Sequence, residues 1–553
     1  MKIESSSLQR SLSFALVILT VSAASITSAQ TLRIATYNIK ADTGSPDSGT
    51  GLSTVLEAIG AENLGGNAQP VDVLALQELY STPSTTLSYI VNQLNGYYNC
   101  PGMYAYDSAI DPTTGGTGGG PSGLIYNTHT VQDVAAAVIG TASSSGAARA
   151  PMRYTLQPVG DGTGAQFYLY VSHAKSGTGS SDANRRNYEA QELRNNASAL
   201  GPNAHIIYSG DFNIESSGES TYKTMIGSGV GQAVDPVNPA GNWTDTSAFV
   251  GLMTESAANL QYRDDFQFIT APMQNQPGLQ LVSGTYTVFS NNGSIPFHGS
   301  VTQSSALSDL SNRSAVLNAL TTATDHLPVV ADYTVALPSV IDWKGGTISD
   351  PTNWNVSANW NLNIAVPNKA GLAVSFGNQS AASNVVNMIS HEQTVGSISF
   401  AANTSTTISN TAGYSLTLNN NGMVSSIDVA GNQTISAPLV LNNDATMTGS
   451  GTLNLTGGIT GPHTLNVTSG TLIASNISLD KLVIGAAAPT QITADSIDVN
   501  TLCIAANSTL TIRAIPGGLL AGGNLLSPVP EPSAWAMIIL AFMGLYMYWR
   551  CSQ

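Results

Sequence analysis

Five short stretches carry side chains that could do chemistry together: Thr36-Tyr37-Asn38-Ile39, Gln77-Glu78, Ser172-His173-Ala174-Lys175, Ser209-Gly210-Asp211-Phe212-Asn213 and Thr324-Asp325-His326. Carboxylates, carboxamides and imidazoles in one set point to a hard cation, because oxygen donors suit Mg²⁺, Mn²⁺ or Ca²⁺ better than a thiolate zinc centre. Buried without partners, such groups would cost on the order of several kcal/mol each. They must bond to one another, hold a cation or face a cleft.

Four of the stretches end apolar runs of strand length, and the fifth precedes one, Leu327-Pro328-Val329-Val330. Period-two alternation puts Leu32, Ile34, Thr36 and Asn38 on one face, and Phe167, Leu169, Val171 and His173 on another. The same rule groups Leu74, Leu76 and Glu78, and it sets Ile207 in phase with Asp211 and Asn213. If these strands run into one core, their polar ends gather at one rim. Between them, Ala183–Leu200 shows helical spacing through Ala190, Leu193, Ala197 and Leu200. Arg185, Arg186 and Arg194 on it read as a solvated face. The Gly-rich Thr114–Gly120 stretch lacks phosphate-loop spacing and its lysine, and reads as a flexible connection or a lip of the cleft.

The order Asn, Gln-Glu, Ser-His, Gly-Asp-Phe-Asn, Asp-His resembles the endonuclease/exonuclease/phosphatase superfamily, whose best-known branch is deoxyribonuclease I. The resemblance spans residues 31–335. It implies a four-layer α/β/β/α sandwich with the site at one end of two packed sheets. It implies metal binding by Glu78 with Asn38 beside it, and by Asp325 directly or through water. Asp211 and Asn213 would position or deprotonate the attacking water, and His173 would contact the phosphate or protonate the leaving oxygen. His326 would be the terminal histidine, oriented by Asp265 (Asp264 stands beside it), and Arg149 would grip the phosphate. A metal, Arg149 and a protonated His173 would then supply positive charge to the phosphoryl oxygens. The activity implied is metal-dependent phosphodiester hydrolysis, first of nucleic acid. The alternatives are a sphingomyelinase-like or small-phosphoester hydrolase and a non-catalytic envelope adhesin.

The chain has 553 residues, enough for several domains. Only 9% are charged and the formal net charge is −16, which excludes a generally basic nucleic-acid coat. With 42% hydrophobic residues it is no highly charged disordered chain either. Three cysteines, Cys100, Cys503 and Cys551, make no disulfide framework.

Export is read from the ends. Lys2 and Arg10, the apolar run from Leu12 to Val21 and the small residues up to Ala29 form a signal-peptide pattern over 1–29. At the other end, residues 528–553 combine Val529-Pro530-Glu531-Pro532, an apolar stretch of spanning length from Ser533 to Trp549, and Arg550. This resembles the PEP-CTERM sorting signal of bacterial envelope proteins, which implies a transmembrane helix, a membrane sorting protease as partner and transient anchoring in the inner membrane.

After Pro338 helical patterning fades. Alternating apolar and Thr/Asn residues, broken by Gly and Asn-Asn turns, read as a β-rich repeat-like domain over 338–525, either a parallel β-helix or a β-sandwich. Its entry, with Trp343, Trp354 and Trp360, resembles autotransporter-associated β-repeat segments. It holds no catalytic constellation and reads as a spacer, stalk or carbohydrate-facing module.

Overall fold

The computed structural model describes residues 30–513, apart from 42–49, 81, 112–118, 346–349, 378–382, 403, 486 and 489. The expected signal peptide and the expected C-terminal sorting segment with its helix both lie outside the described residues. Among the described residues, no helix is long and apolar enough to cross a membrane.

The first half alternates strands and helices: β1 (Thr31–Asn38), α1 (Leu52–Ala61), β2 (Val73–Gln77), α2 (Pro83–Tyr97), β3 (Tyr104–Tyr106), β4 (Gly123–Asn127), β5 (Val131–Val138), β6 (Met152–Pro158), β7 (Phe167–His173), α3 (Ser180–Ser198) and β8 (Ile206–Asp211). It continues through α4 (Ser220–Ile226), β9 (Ala233–Val234), β10 (Asp265–Thr270), α5 (Pro272–Asn275), β11 (Gly278–Leu281), β12 (Thr287–Val288), α6 (Arg313–Ala323) and β13 (Val329–Ala336). One sheet has the order β11-β13-β1-β2-β4-β3, with β12 on β13; the other has the order β5-β6-β7-β8-β10-β9.

Three apolar clusters show how these pieces layer. Leu32, Ile34, Val73 and Ala75 of the first sheet meet Phe167, Leu169, Val171 and Ile207 of the second. The outward face of the first sheet, with Tyr37, Leu74 and Leu76, packs on α1, α2 and α6. That of the second, with Tyr170, Tyr208, Phe266 and Phe268, packs on α3. The central strands therefore have apolar partners on both faces, and the result is the four-layer α/β/β/α sandwich. A buried polar clamp joins the sheets: Gln267 Nε2 on β10 donates to Ile34 O (3.0 Å) and Val329 O (2.7 Å), and Tyr333 Oη donates to Gln267 Oε1 (3.0 Å). With every partner present, such a clamp fixes one sheet register against the other.

The second half, β14 (Val340–Asp342) to β29 (Thr509–Ile512), is a parallel β-solenoid. Ser425, Ala445 and Leu465 pair in succession, so one turn here takes 445 − 425 = 20 residues. Of the two architectures compatible with the sequence, the parallel one is present: equivalent apolar residues of successive turns stack inward, as Ile427, Met447 and Val467 do. Trp343, Trp354 and Trp360 close its first turn around Phe376, with Trp354 and Trp360 ring centroids 4.8 Å apart. Their indoles are satisfied, Trp354 Nε1 donating to Pro367 O (3.0 Å) and Trp360 Nε1 to Trp354 O (2.8 Å).

The solenoid docks at the start of β7. Gly162 N donates to Ile364 O (2.5 Å), Asn363 Nδ2 donates to Thr163 Oγ1 (2.6 Å), and Ile364 joins the apolar cluster between the sheets. Replacing Trp360 by Ala deletes a fully buried aromatic and an indole donor. The expected loss is about 3–5 kcal/mol of solenoid stability, read as a lower denaturant midpoint for the solenoid transition. An unchanged midpoint would contradict the capping role.

Candidate active site

The topology explains why distant residues meet. β1, β2, β7 and β8 deliver Asn38, Glu78, His173 and Asp211 from their C-terminal ends. β10 and β13 run antiparallel to β8 and β1, so they deliver residues from their beginnings: Asp265, and His326 just before β13. Asp211 lies opposite Asp265 across the β8–β10 ladder and beside His173 across the β7–β8 ladder. Gly210 permits this. Its φ is +135°, and a Cβ there would sit 1.9 Å from Ser172 O.

Alternation placed Asn38, His173 and Asp211 correctly on the face between the sheets, but Glu78 is a correction. Leu74 and Leu76, its supposed companions, pack on the helices. Glu78 has φ +55°, and this left-handed residue breaks the strand phase and returns its carboxylate to the rim. Asn213 (φ +51°) and Lys40 (φ +50°) are also left-handed at this rim.

Asn38 Nδ2 donates to both Glu78 Oε1 (3.0 Å) and Asp211 Oδ2 (3.1 Å). His173 Nε2 lies 3.6 Å from Glu78 Oε1 and 3.4 Å from Asp211 Oδ2. Donor atoms of Glu78, His173 and Asp211 all fall within 4.8 Å of one another. Two carboxylates and an imidazole nitrogen converging on one small volume fit a divalent cation, and the oxygen-rich set favours Mg²⁺ or Mn²⁺. Of the expected ligands, Glu78 belongs to this group, while Asn38 turns its Nδ2 to the two carboxylates and its Oδ1 to Lys40 N (3.2 Å). Asp325 stands apart in an ion pair with Lys40, its Oδ1 3.9 Å from His326 Nε2.

Asn213 Nδ2 donates to Asp211 Oδ1 (2.7 Å), fixing that carboxylate from the other side. His326 Nδ1 is 2.8 Å from Asp265 Oδ2, and its Nε2 is 3.9 Å from Asp211 Oδ2. Asp265 is thus the aspartate that orients His326. Asp264 stands just before β10, where burial and the neighbouring Glu255 hold its carboxyl well above the usual range.

The two histidines are pushed apart in acidity. Burial opposes charge on His326, but Asp265, Asp211 and Glu255 outweigh it and hold the ring well above its ordinary value. Burial, Arg149 and His326 hold His173 well below its own. Charge is thus favoured on His326 and disfavoured on His173, the ring expected to carry it. Burial also raises the Asp211 carboxyl, with Asp265, Glu255 and Glu78 adding to it and His326 opposing.

Arg149 lines the cleft, but its guanidinium also braces the walls. Nε donates to Gly119 O (3.2 Å), and Nη1 donates to His173 O (3.1 Å) and Ala174 O (3.3 Å). Gly119, at the end of the Gly-rich stretch, is a lip of the cleft with φ +84°. The supposed solvated face of α3 is another correction. Arg186 is buried and donates to both oxygens of Glu219 (2.9 and 3.0 Å), because α4 covers that side of the helix.

Sequence reading missed Lys40, Glu255 and Glu189. Glu189 is buried on α3, where it accepts a hydrogen bond from Ser172 Oγ, next to His173. Its helical phase with Leu193 and Ala197 was the available signal, a carboxyl on an apolar face. Nothing in the local sequence marks Glu255.

Residues 35–278 match the Endonuclease/Exonuclease/phosphatase family. No curated protein matches the chain. Similar solved structures include D. rerio TDP2 complexed with single strand DNA product, at 15% identity and TM-score 0.36, covering 55% of this chain and 99% of that one. The human Nocturnin catalytic domain with bound sulfate is 17% identical with TM-score 0.33, covering 55% and 95%. An endonuclease/exonuclease/phosphatase family protein from Bacteroides thetaiotaomicron is 14% identical with TM-score 0.35, covering 56% and 100%.

Two outcomes follow from this packing. A Cβ at Gly119 would approach Arg149 Nη2 to 2.0 Å, so Gly119→Ala should displace the guanidinium and weaken hydrolysis about tenfold or more, measured as kcat/KM with the fold intact. Burial raises Glu189 from 4.5 to about 7, so the stability it contributes is full below 4.5 and fades as pH rises through 7. Glu189→Gln should therefore gain on the parent above pH 7, by on the order of 2 kcal/mol in denaturant melts compared across pH. Parallel pH profiles would refute the assignment.

Proposed function

We propose that residues 31–335 form a divalent-metal-dependent phosphodiester hydrolase, with nucleic-acid phosphodiesters as the leading substrate class. One observation carries this reading: the donors of Glu78, His173 and Asp211 converge beside a His326–Asp265 pair at the end of two packed sheets. The family match over 35–278 supports it.

Glu78, His173 and Asp211 would hold the cation, with Asn38 bridging the two carboxylates. When bound, a divalent cation neutralises charge on the phosphoryl oxygens and on the leaving oxygen. Asp211, made more basic by burial and fixed by Asn213, takes a proton from the attacking water as its oxygen bonds to phosphorus and the ester bond breaks. His326, kept cationic by Asp265, donates to a phosphoryl oxygen as negative charge builds there. His173 is neutral and so offers a ring nitrogen as a donor atom. Arg149 stabilises the wall that receives the phosphate. Lys40 holds Asp325 at the edge.

The amino-terminal and carboxy-terminal patterns support a protein that is exported, held transiently in the inner membrane, and released to the envelope by a sorting protease. The domain limits proposed are 31–335 for the hydrolase and 338–525 for the β-rich spacer.

His326→Ala and Asp211→Ala should each reduce kcat by about 10²–10⁴-fold on plasmid, RNA or a chromogenic phosphodiester, without loss of the folded circular-dichroism signal. EDTA should abolish turnover, and Mg²⁺ or Mn²⁺ should restore it. Full activity in either variant, or indifference to EDTA, would overturn the assignment.

A further inference from the structure

Resting on that reading, we propose that the site takes short or terminal phosphoesters, gripped through no more than about three phosphates, and does not track along the backbone of a DNA duplex. The argument is an account of where the positive charge of the sandwich goes.

Affinity for a duplex backbone comes from lysines and arginines laid against successive phosphates. In this sandwich, three arginines are consumed by buried carboxylates: Arg33 by Asp332, Arg186 by Glu219 and Arg263 by Asp235. Others tie down the main chain. Arg194 donates to the carbonyls of Thr224, Met225 and Gly227, Arg185 to those of Ser143 and Gly146, and Arg313 to that of Ala306. Arg153 is held by Asn196 Oδ1 (3.0 Å) and lies over the Tyr168 ring. Lys223 is exposed, but on α4 in the outer helical layer.

At the cleft that leaves Lys40, Arg149 and Lys175, the last next to the lining residue Ser176. Lys40 is paired with Asp325, and Lys175 lies 3.4 Å from Asp182. Four carboxylates line the same cleft, those of Glu78, Asp211, Glu255 and Asp325. The stretches 42–49 and 112–118 contain no lysine or arginine. The solenoid docks at the start of β7, at the opposite end of that strand from His173, and among the described residues none of its side chains lines the cleft. A substrate with one scissile phosphate and one or two neighbours can be satisfied here, whereas a continuous polyanion finds few further lysines or arginines at the cleft among the described residues.

The test compares a dinucleotide with a linear DNA duplex, using the full protein with Mg²⁺ at about 50 and about 200 mM salt. Three contacts predict a loss in kcat/KM for the duplex of at most about fifty-fold over that range, against about 10³-fold or more for six or more contacts. The expected result is dinucleotide hydrolysis, with duplex cleavage either absent or within the fifty-fold limit. Duplex cleavage that loses more than this, or an inert dinucleotide beside a cleaved duplex, overturns the inference while the hydrolase reading stands. Hydrolysis of neither withdraws the hydrolase reading and this inference with it.

Discussion

Two aspartates face each other across adjacent antiparallel strands, and the arrangement of the site depends on how that repulsion is relieved. Asp211 and Asp265 are direct partners in the β8–β10 ladder, both buried, with Glu78 and Glu255 close by. Like charges opposed in a sheet destabilise it, and burial magnifies the cost. His326 lies between them, bonded to Asp265 and 3.9 Å from Asp211, and their combined field keeps its ring charged. Asn38 and Asn213 donate to Asp211 from two further directions. The acidic concentration that makes the rim unfavourable as packing is also what brings the donor atoms of Glu78, His173 and Asp211 within reach of one another. The cost is carried by the clamped sheets beneath, where Gln267 joins β10 to both β1 and β13.

Much of this was legible because period-two alternation is rigid inside a strand. Leu32, Ile34, Phe167, Leu169, Val171 and Ile207 do lie between the sheets, so Asn38, His173 and Asp211 follow. The rule fails where the strand stops. β2 ends at Gln77, and the left-handed Glu78 owes its direction to backbone geometry that no hydrophobic pattern encodes. Arg186 was misjudged for a different reason. Charge on a helix implies solvent only until another element supplies a carboxylate, and α4 brings Glu219 from thirty-three positions away. Glu255 reaches the cleft from a loop, where spacing carries no information. In the second half, alternation announced strands but not their pairing, because a solenoid strand buries one face only and so alternates as a sandwich strand does.

The chemistry also depends on a division of labour among the cations. Guanidinium groups satisfy several acceptors at once, and here they are used largely to close loops and neutralise buried acids. A chain with few basic residues that spends them on architecture has little left for long-range attraction. Among the described residues near the mouth, the positive charge is then confined to Lys40, Arg149, Lys175 and His326.

The solenoid leaves from the rim where β13 finishes and β7 begins, a strand's length of roughly 20 Å from the imidazoles. Parallel rungs stacked on a tryptophan plug begin at that rim, at the opposite end of β7 from His173. The solenoid is joined at the end of β7 that carries none of the cleft residues, so its attachment takes no space from the cleft itself.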